Sequence, residues 1–260
     1  MKNTSLLLCS LVSVLALAAC GDDDSATGAT TTTTTGSGGN GGGGAAGGAG
    51  PDVTLPDVAG VTFVAAVDNP YFPLPVGATW TYQATTPEGI ERIEVEVLAE
   101  TRTIQGVVAT IVKDTVYLDD VIVEDTFDWY AQDATGNVWY LGEDTCEFVD
   151  GVCDGIHAGA WEWGVDGAVP GIIMFATPAV DGQPYYQEFS SGVAEDVGEV
   201  IEVGASVTVP AGAYIDCIKT RDTSTLDPEL SEIKIYCRDV GNVFVEEPDF
   251  NVELMSVTGL

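Results

Sequence analysis

Positive charge is what this chain has least of: 8 Lys and Arg stand against 41 Asp and Glu in 260 residues, a formal net charge of −33. A polyanion of that density repels phosphate instead of displacing its counterions, so nucleic acid is excluded as a partner and anionic headgroups are disfavoured. Histidine is almost absent too. His157 is the one ring available to a Ser-His-Asp or Cys-His arrangement, and it sits in a loop, Asp154-Gly-Ile-His-Ala-Gly159, where an exposed or locally bonded histidine is the default. No G-x-S-x-G, H-E-x-x-H, C-x-x-C, Walker-type loop or dinucleotide fingerprint occurs. Capped helical periodicity is missing as well, and only residues 191–197 leave room for one helical turn. No apolar run reaches the roughly 20 residues that a membrane-spanning helix needs.

What is present begins at the N-terminus. Lys2, an apolar run from Leu6 to Leu17 and then Leu17-Ala18-Ala19-Cys20 form a signal-peptide pattern that ends on cysteine instead of an A-x-A site. This resembles the bacterial lipobox. The resemblance implies a signal peptide over 1–19, removal of that peptide, acylation of Cys20 and a membrane anchor at the new N-terminus. In lipoproteins of enteric type an aspartate directly after the cysteine favours the inner membrane. Here Gly21 holds that position, which points to a lipid-anchored envelope protein of the outer membrane. Residues 20–50 follow as the lipidated cysteine and a Gly/Thr-rich tether without a large side chain to bury. A flexible chain of that length reaches about 30 Å. Residues 51–260 make the folded domain.

The acids admit two readings: a hydrated, lysine-poor surface, or carboxylates gathered around a hard cation. The candidate cluster for Ca²⁺, the one cofactor in view, is Asp144, Glu147, Asp150 and Asp154 in a short loop, although the spacing is not that of an EF-hand. An acid-pair hydrolase needs no histidine, but with so many carboxylates no pair stands out. Glu143-Asp144 and Glu195-Asp196 read as solvated turn residues. Trp161 and Trp163, two apart, read as one face of a strand, and core is their default role.

Cys146, Cys153, Cys217 and Cys237 remain for disulfides in an exported chain, with three pairings open. Strands 213–221 and 232–238, paired antiparallel about Asp227, place Cys217 opposite Cys237, with Ile215 and Ile235 on the face of the sulfurs. Cys146 and Cys153 then close a small loop. Elsewhere Ile93, Val95 and Val97 alternate with Glu94 and Glu96, and Gln105-Gly106 and Asp119-Asp120 turn the chain around the run Val107 to Leu118. From Val121 the odd positions are apolar apart from Asp125, while Glu124, Thr126, Asp128 and Gln132 form a polar face. Residues 126–141 read as a hairpin and 185–189 as a strand. Residues 200–203 and 206–209 read as two short strands about Gly204.

Two phrases carry a further resemblance: Tyr71-Phe-Pro-Leu-Pro-Val-Gly-Ala-Thr-Trp80 with Tyr82, and Ser206-Val-Thr-Val-Pro-Ala-Gly-Ala-Tyr214 before Cys217. They resemble the F-P-L-x-V-G-x-x-W-x-Y and V-x-V-P-A-G-x-F signatures of a broad group of exported bacterial proteins and lipoproteins. That resemblance implies an all-β domain with one large, mostly antiparallel curved sheet or half-barrel, similar to periplasmic lipoprotein carriers. The resulting expectation is a non-catalytic module that binds an apolar or envelope-derived ligand, or a partner protein. A Ca²⁺-dependent module and an acid-pair hydrolase are the alternatives.

Overall fold

A computed structural model describes residues 53–260, so the signal peptide, Cys20 and the tether lie outside the described residues. Long strands carry the fold: β1 Thr79–Thr85, β2 Ile90–Ile104, β3 Val107–Leu118, β4 Val121–Asp133, β5 Val138–Val149, β6 Val169–Met174, β7 Asp196–Val209, β8 Gly212–Ser224, β9 Ser231–Cys237, β10 Gly241–Glu246 and β11 Asn251–Thr258. No helix occurs among the described residues, and residues 191–193 form a turn instead.

Every ladder is antiparallel. Strands β1 to β5 make one meander with β6 on its far edge, β7 to β11 make a second, and β11 pairs with β1 to join them. The free edges, β6 and β7, are brought together by a single segment. Tyr185 and Tyr186 pair with Gly198 and Val197 of β7, and two residues later Glu188 and Phe189 pair with Pro170 and Val169 of β6. The sheet is thereby nearly closed into a barrel, which removes most of the exposed edge that an open sheet would leave. Glycine makes the seam possible. A Cβ on Gly171 would stand 2.2 Å from the Gln187 carbonyl, and one on Gly198 would stand 2.8 Å from Gln187 Nε2.

Local chemistry explains the strand ends. Gln105-Gly106 and Asp119-Asp120 have positive φ at both positions, the geometry of tight hairpin turns whose twist suits the flanking strands. Asp133 closes the β4–β5 turn: its carboxylate accepts from the backbone N–H of Thr135 (2.8 Å) and Asn137 (3.1 Å) and from Trp139 Nε1 (2.9 Å). Burial alone would raise the pKa of Asp133, but these donors outweigh it and bring the group down to about 2.

Both disulfides join the partners expected, Cys146 to Cys153 and Cys217 to Cys237, and the latter two face each other directly in the β8–β9 ladder. Ile215 departs from expectation. A bulge with Asp216 at φ 56° breaks the alternation of β8, so Cys217 is buried while Ile215 is 78% exposed. Residues 200–209 also differ, forming part of the continuous strand β7. Three register shifts and a positive φ at Gly204 absorb the irregularity that the sequence suggested was a break.

Two apolar clusters lie on opposite faces of the sheet. The larger fills the lumen, from Trp80 and Tyr82 through Ile93 and Val116 to Tyr130 and Tyr140. The smaller is on the outside, where Trp129, Trp139 and Leu141 are covered by Val58, Val61 and Phe63 of the lead-in. That outer cluster reverses the expected sense of β4. The odd residues Phe127 and Trp129 face outward, and the polar even residues Glu124, Thr126 and Asp128 are buried inside the barrel. Trp161 and Trp163 are split in the same way. Trp161 is buried in the lumen, and Trp163 packs on Phe63 outside, because the chain turns directly after Glu162.

Candidate functional site

The lumen contains two kinds of surface. Along β4 the inward side chains run from Gln132 through Tyr130 to Asp128, Thr126 and Glu124, a passage from aromatic to acidic surroundings. The aromatic part is covered by a strap, residues 67–75, whose short pair Asp68–Asn69 and Phe72–Pro73 folds back on itself. Gln132 Oε1 accepts from the N–H groups of Asp68 and Asn69, and Asn69 Nδ2 donates to the Gly136 carbonyl at 2.8 Å. The three prolines of this stretch keep it extended, so Phe72 and Leu74 drop onto Trp80, Tyr82 and Tyr130. Beneath the strap remains a cavity of about 50 Å³ lined by Phe72, Leu74, Tyr82, Val95, Val112 and Tyr236. Its walls are mostly aromatic rings and aliphatic side chains, with Asn242 as a polar member. Tyr82 and Trp80 turn their polar ends away, donating to the carbonyls of Asn242 and Val240.

The acidic part holds carboxyls contributed by most of the barrel. Glu232 hydrogen-bonds Glu247, and Glu91 stands beside Glu247 and Glu124. Glu124 neighbours Asp128 and accepts from Thr126 Oγ1 at 3.2 Å. The Tyr140 hydroxyl lies 2.6 Å from Asp128 Oδ1 and 3.1 Å from Glu143 Oε2. Trp161 Nε1 donates to Glu188 Oε2 at 2.6 Å, and Glu188 in turn hydrogen-bonds Asp196. All of these groups are buried, and for Glu91, Glu124, Asp128, Glu188 and Glu232 removal from water dominates the titration. It pushes Glu91 and Glu124 up to about 7 and moves Asp128, Glu188 and Glu232 upward as well. Lys234 is the buried cation of this region, itself 1% exposed, held 3.3 Å from Asp222 and 3.4 Å from Glu232.

The acids nominated from the sequence are arranged differently. Asp144 and Glu147, three apart on β5, point to opposite faces. Asp144 pairs outside with His157 Nδ1 at 2.6 Å, and Glu147 lies opposite Glu124. Asp150 sits at the exposed tip of the loop, and Asp154 caps the N–H of Ile156. Among the described residues the one group of His, Cys, Asp or Glu whose ligand atoms lie within 4.8 Å of one another is Cys146, Cys153 and Asp154. Its sulfurs are already spent in a disulfide and are not thiolate ligands. Glu143 and Asp196, which read as solvated turn residues, are instead buried in the lumen. Of the acids that the sequence left unassigned, Glu124, Asp128 and Glu188 are buried in the lumen, while Asp125 is outside with Lys113 and Thr115. Missed altogether were Glu91, Asp114, Asp222, Glu232, Lys234 and Glu247. Phase was the available signal: Glu91 lies in register with Ile93 and Val95, and Asp114 lies between Val112 and Val116 on the same face.

No family model and no curated protein matches the chain. A solved structure described as a "putative lipoprotein" from Parabacteroides distasonis is similar at 13% identity and a TM-score of 0.41, over 75% of this chain and 100% of that one.

Proposed function

We propose that the protein is a lipoprotein of the bacterial cell envelope, anchored through Cys20 in the outer membrane, whose barrel is a non-catalytic module for the apolar end of a ligand. The observation that carries the ligand reading is the cavity under the strap, lined by Phe72 and Leu74 and walled mostly by aromatic and aliphatic side chains. About 50 Å³ is well below the roughly 300 Å³ of a drug-sized pocket, so the cavity suits a short branched or aromatic terminus and not an entire acyl chain. No acid lines this cavity.

N-phenylnaphthylamine, an apolar fluorophore, tests the pocket. Saturable fluorescence enhancement with the wild type, lost when Val112→Trp fills the cavity, supports the reading. A wild type that shows no saturable enhancement contradicts it. The anchor is tested separately: Cys20→Ala should move the protein from the membrane fraction to the soluble one with the barrel still folded.

A further inference from the structure

The barrel is closed at its weakest ladder, and a carboxyl pair sits on that closure. Tyr185–Phe189 contributes two residue pairs to each edge, whereas the adjoining β7–β8 ladder runs from Asp196 and Ser224 to Val209 and Gly212. One of the four pairs uses Pro170, which has no N–H to donate. The Gln187 N–H donates to the Asp196 carbonyl at 2.8 Å, so the segment is bonded through its backbone to the residue whose side chain meets Glu188. Glu188 is 1% exposed and Asp196 is 3% exposed. Two carboxyl groups can hydrogen-bond only if a proton lies between them. Without that proton two negative charges share a dry site, the situation that prevents joint ionisation in carboxylate dyads.

We infer that Glu188 and Asp196 form a proton-dependent latch on the barrel seam: with one proton shared the segment 185–189 holds both edges, and its loss to water releases them.

The surroundings reinforce this. From β5 the latch faces Glu143 and the Tyr140 hydroxyl, from β4 Tyr130 and, across Tyr140, Asp128. From the loop before β6 it meets Trp161 Nε1, a neutral donor. None of these groups carries positive charge, and the buried Lys234 is engaged by Asp222 and Glu232. Burial comes first among the causes that raise the Glu188 pKa, followed by the Asp196 charge. The latch is therefore fully closed below the ordinary glutamate range and weakens as pH rises through the raised value.

Amide hydrogen exchange on the full mature protein in detergent tests it, with the β1–β11 ladder as internal control and rates corrected for intrinsic pH dependence. Between about pH 5 and about pH 8.5, protection over residues 185–198 should fall about tenfold more than protection of the control ladder. In Glu188→Gln the amide donates to Asp196 without a titratable proton, so seam protection should no longer change with pH relative to the control. If that variant does not fold, Asp196→Asn makes the same test with the roles exchanged. Seam protection that does not change with pH in the wild type, or that falls equally in the amide variants, overturns the latch.

Discussion

Two parts of one lumen, built from the same strands, are held by different physics. Around Trp80, Tyr82, Ile93 and Val116 the interior is a packed apolar core, stabilised by area removed from water at about 25 cal/mol per Å² and indifferent to pH. Around Glu91, Glu124, Asp128 and Glu188 the inward positions are equally buried but carry carboxyls, whose removal from water favours the neutral form. Burial is thus no measure of hydrophobicity in this barrel, and the acidic part makes folding stability depend on proton concentration.

Exchanging the buried lysine breaks this contrast most severely. Lys234→Met leaves Asp222 and Glu232 with no cation inside the barrel and should cost about 3–5 kcal/mol in urea denaturation, more at high pH than at low. In the apolar part, Leu74→Ala should cost about 2–3 kcal/mol by loss of contact and cavity growth, with the same value at either pH.

The wild type sharpens the contrast without mutation. Glu91 titrates near 4.5 when unfolded and at about 7 when folded, so the stability it leaves intact below 4.5 is lost as pH rises through 7. Asp133 acts oppositely. Its contribution is present above 3.8 and is lost as pH falls through about 2. Thermal melting should therefore show a maximum at mildly acidic pH, falling toward neutrality; a maximum above pH 8 would be the wrong sign. Smallest of all, Lys113→Ala removes an ion pair to Asp125 on the outer face and should cost about 0.5 kcal/mol. The gap between Lys113 and Lys234 compares the same chemical pair inside and outside the barrel.

Much of the strand layout was legible because turns and period are local properties. Val107–Leu118 was bounded by its two turns, and the register placing Cys217 opposite Cys237 followed from symmetry about Asp227. The direction of each face was not legible in the same way. Period two states that Phe127 and Asp128 point oppositely but not which is inside, and the outer cluster under Val58, Val61 and Phe63 gives β4 a second apolar destination. The bulge at Asp216 altered the phase of β8 after a pattern that looked regular. The latch joins residues eight apart, across a turn whose neighbours the local pattern could not supply, and the rest of the acid belt comes from positions separated by as much as 156 residues, Glu91 to Glu247.

Carbon-13 NMR of the side-chain carboxyls, followed from acid to alkaline pH in protein labelled on Asp and Glu, tests the protonated lumen most directly. The account predicts a distinct set of carboxyl resonances still in the neutral form at about pH 6, with the Glu188 resonance among them and absent in Glu188→Gln. Complete ionisation of every Asp and Glu by about pH 5.5 in the folded protein would contradict it.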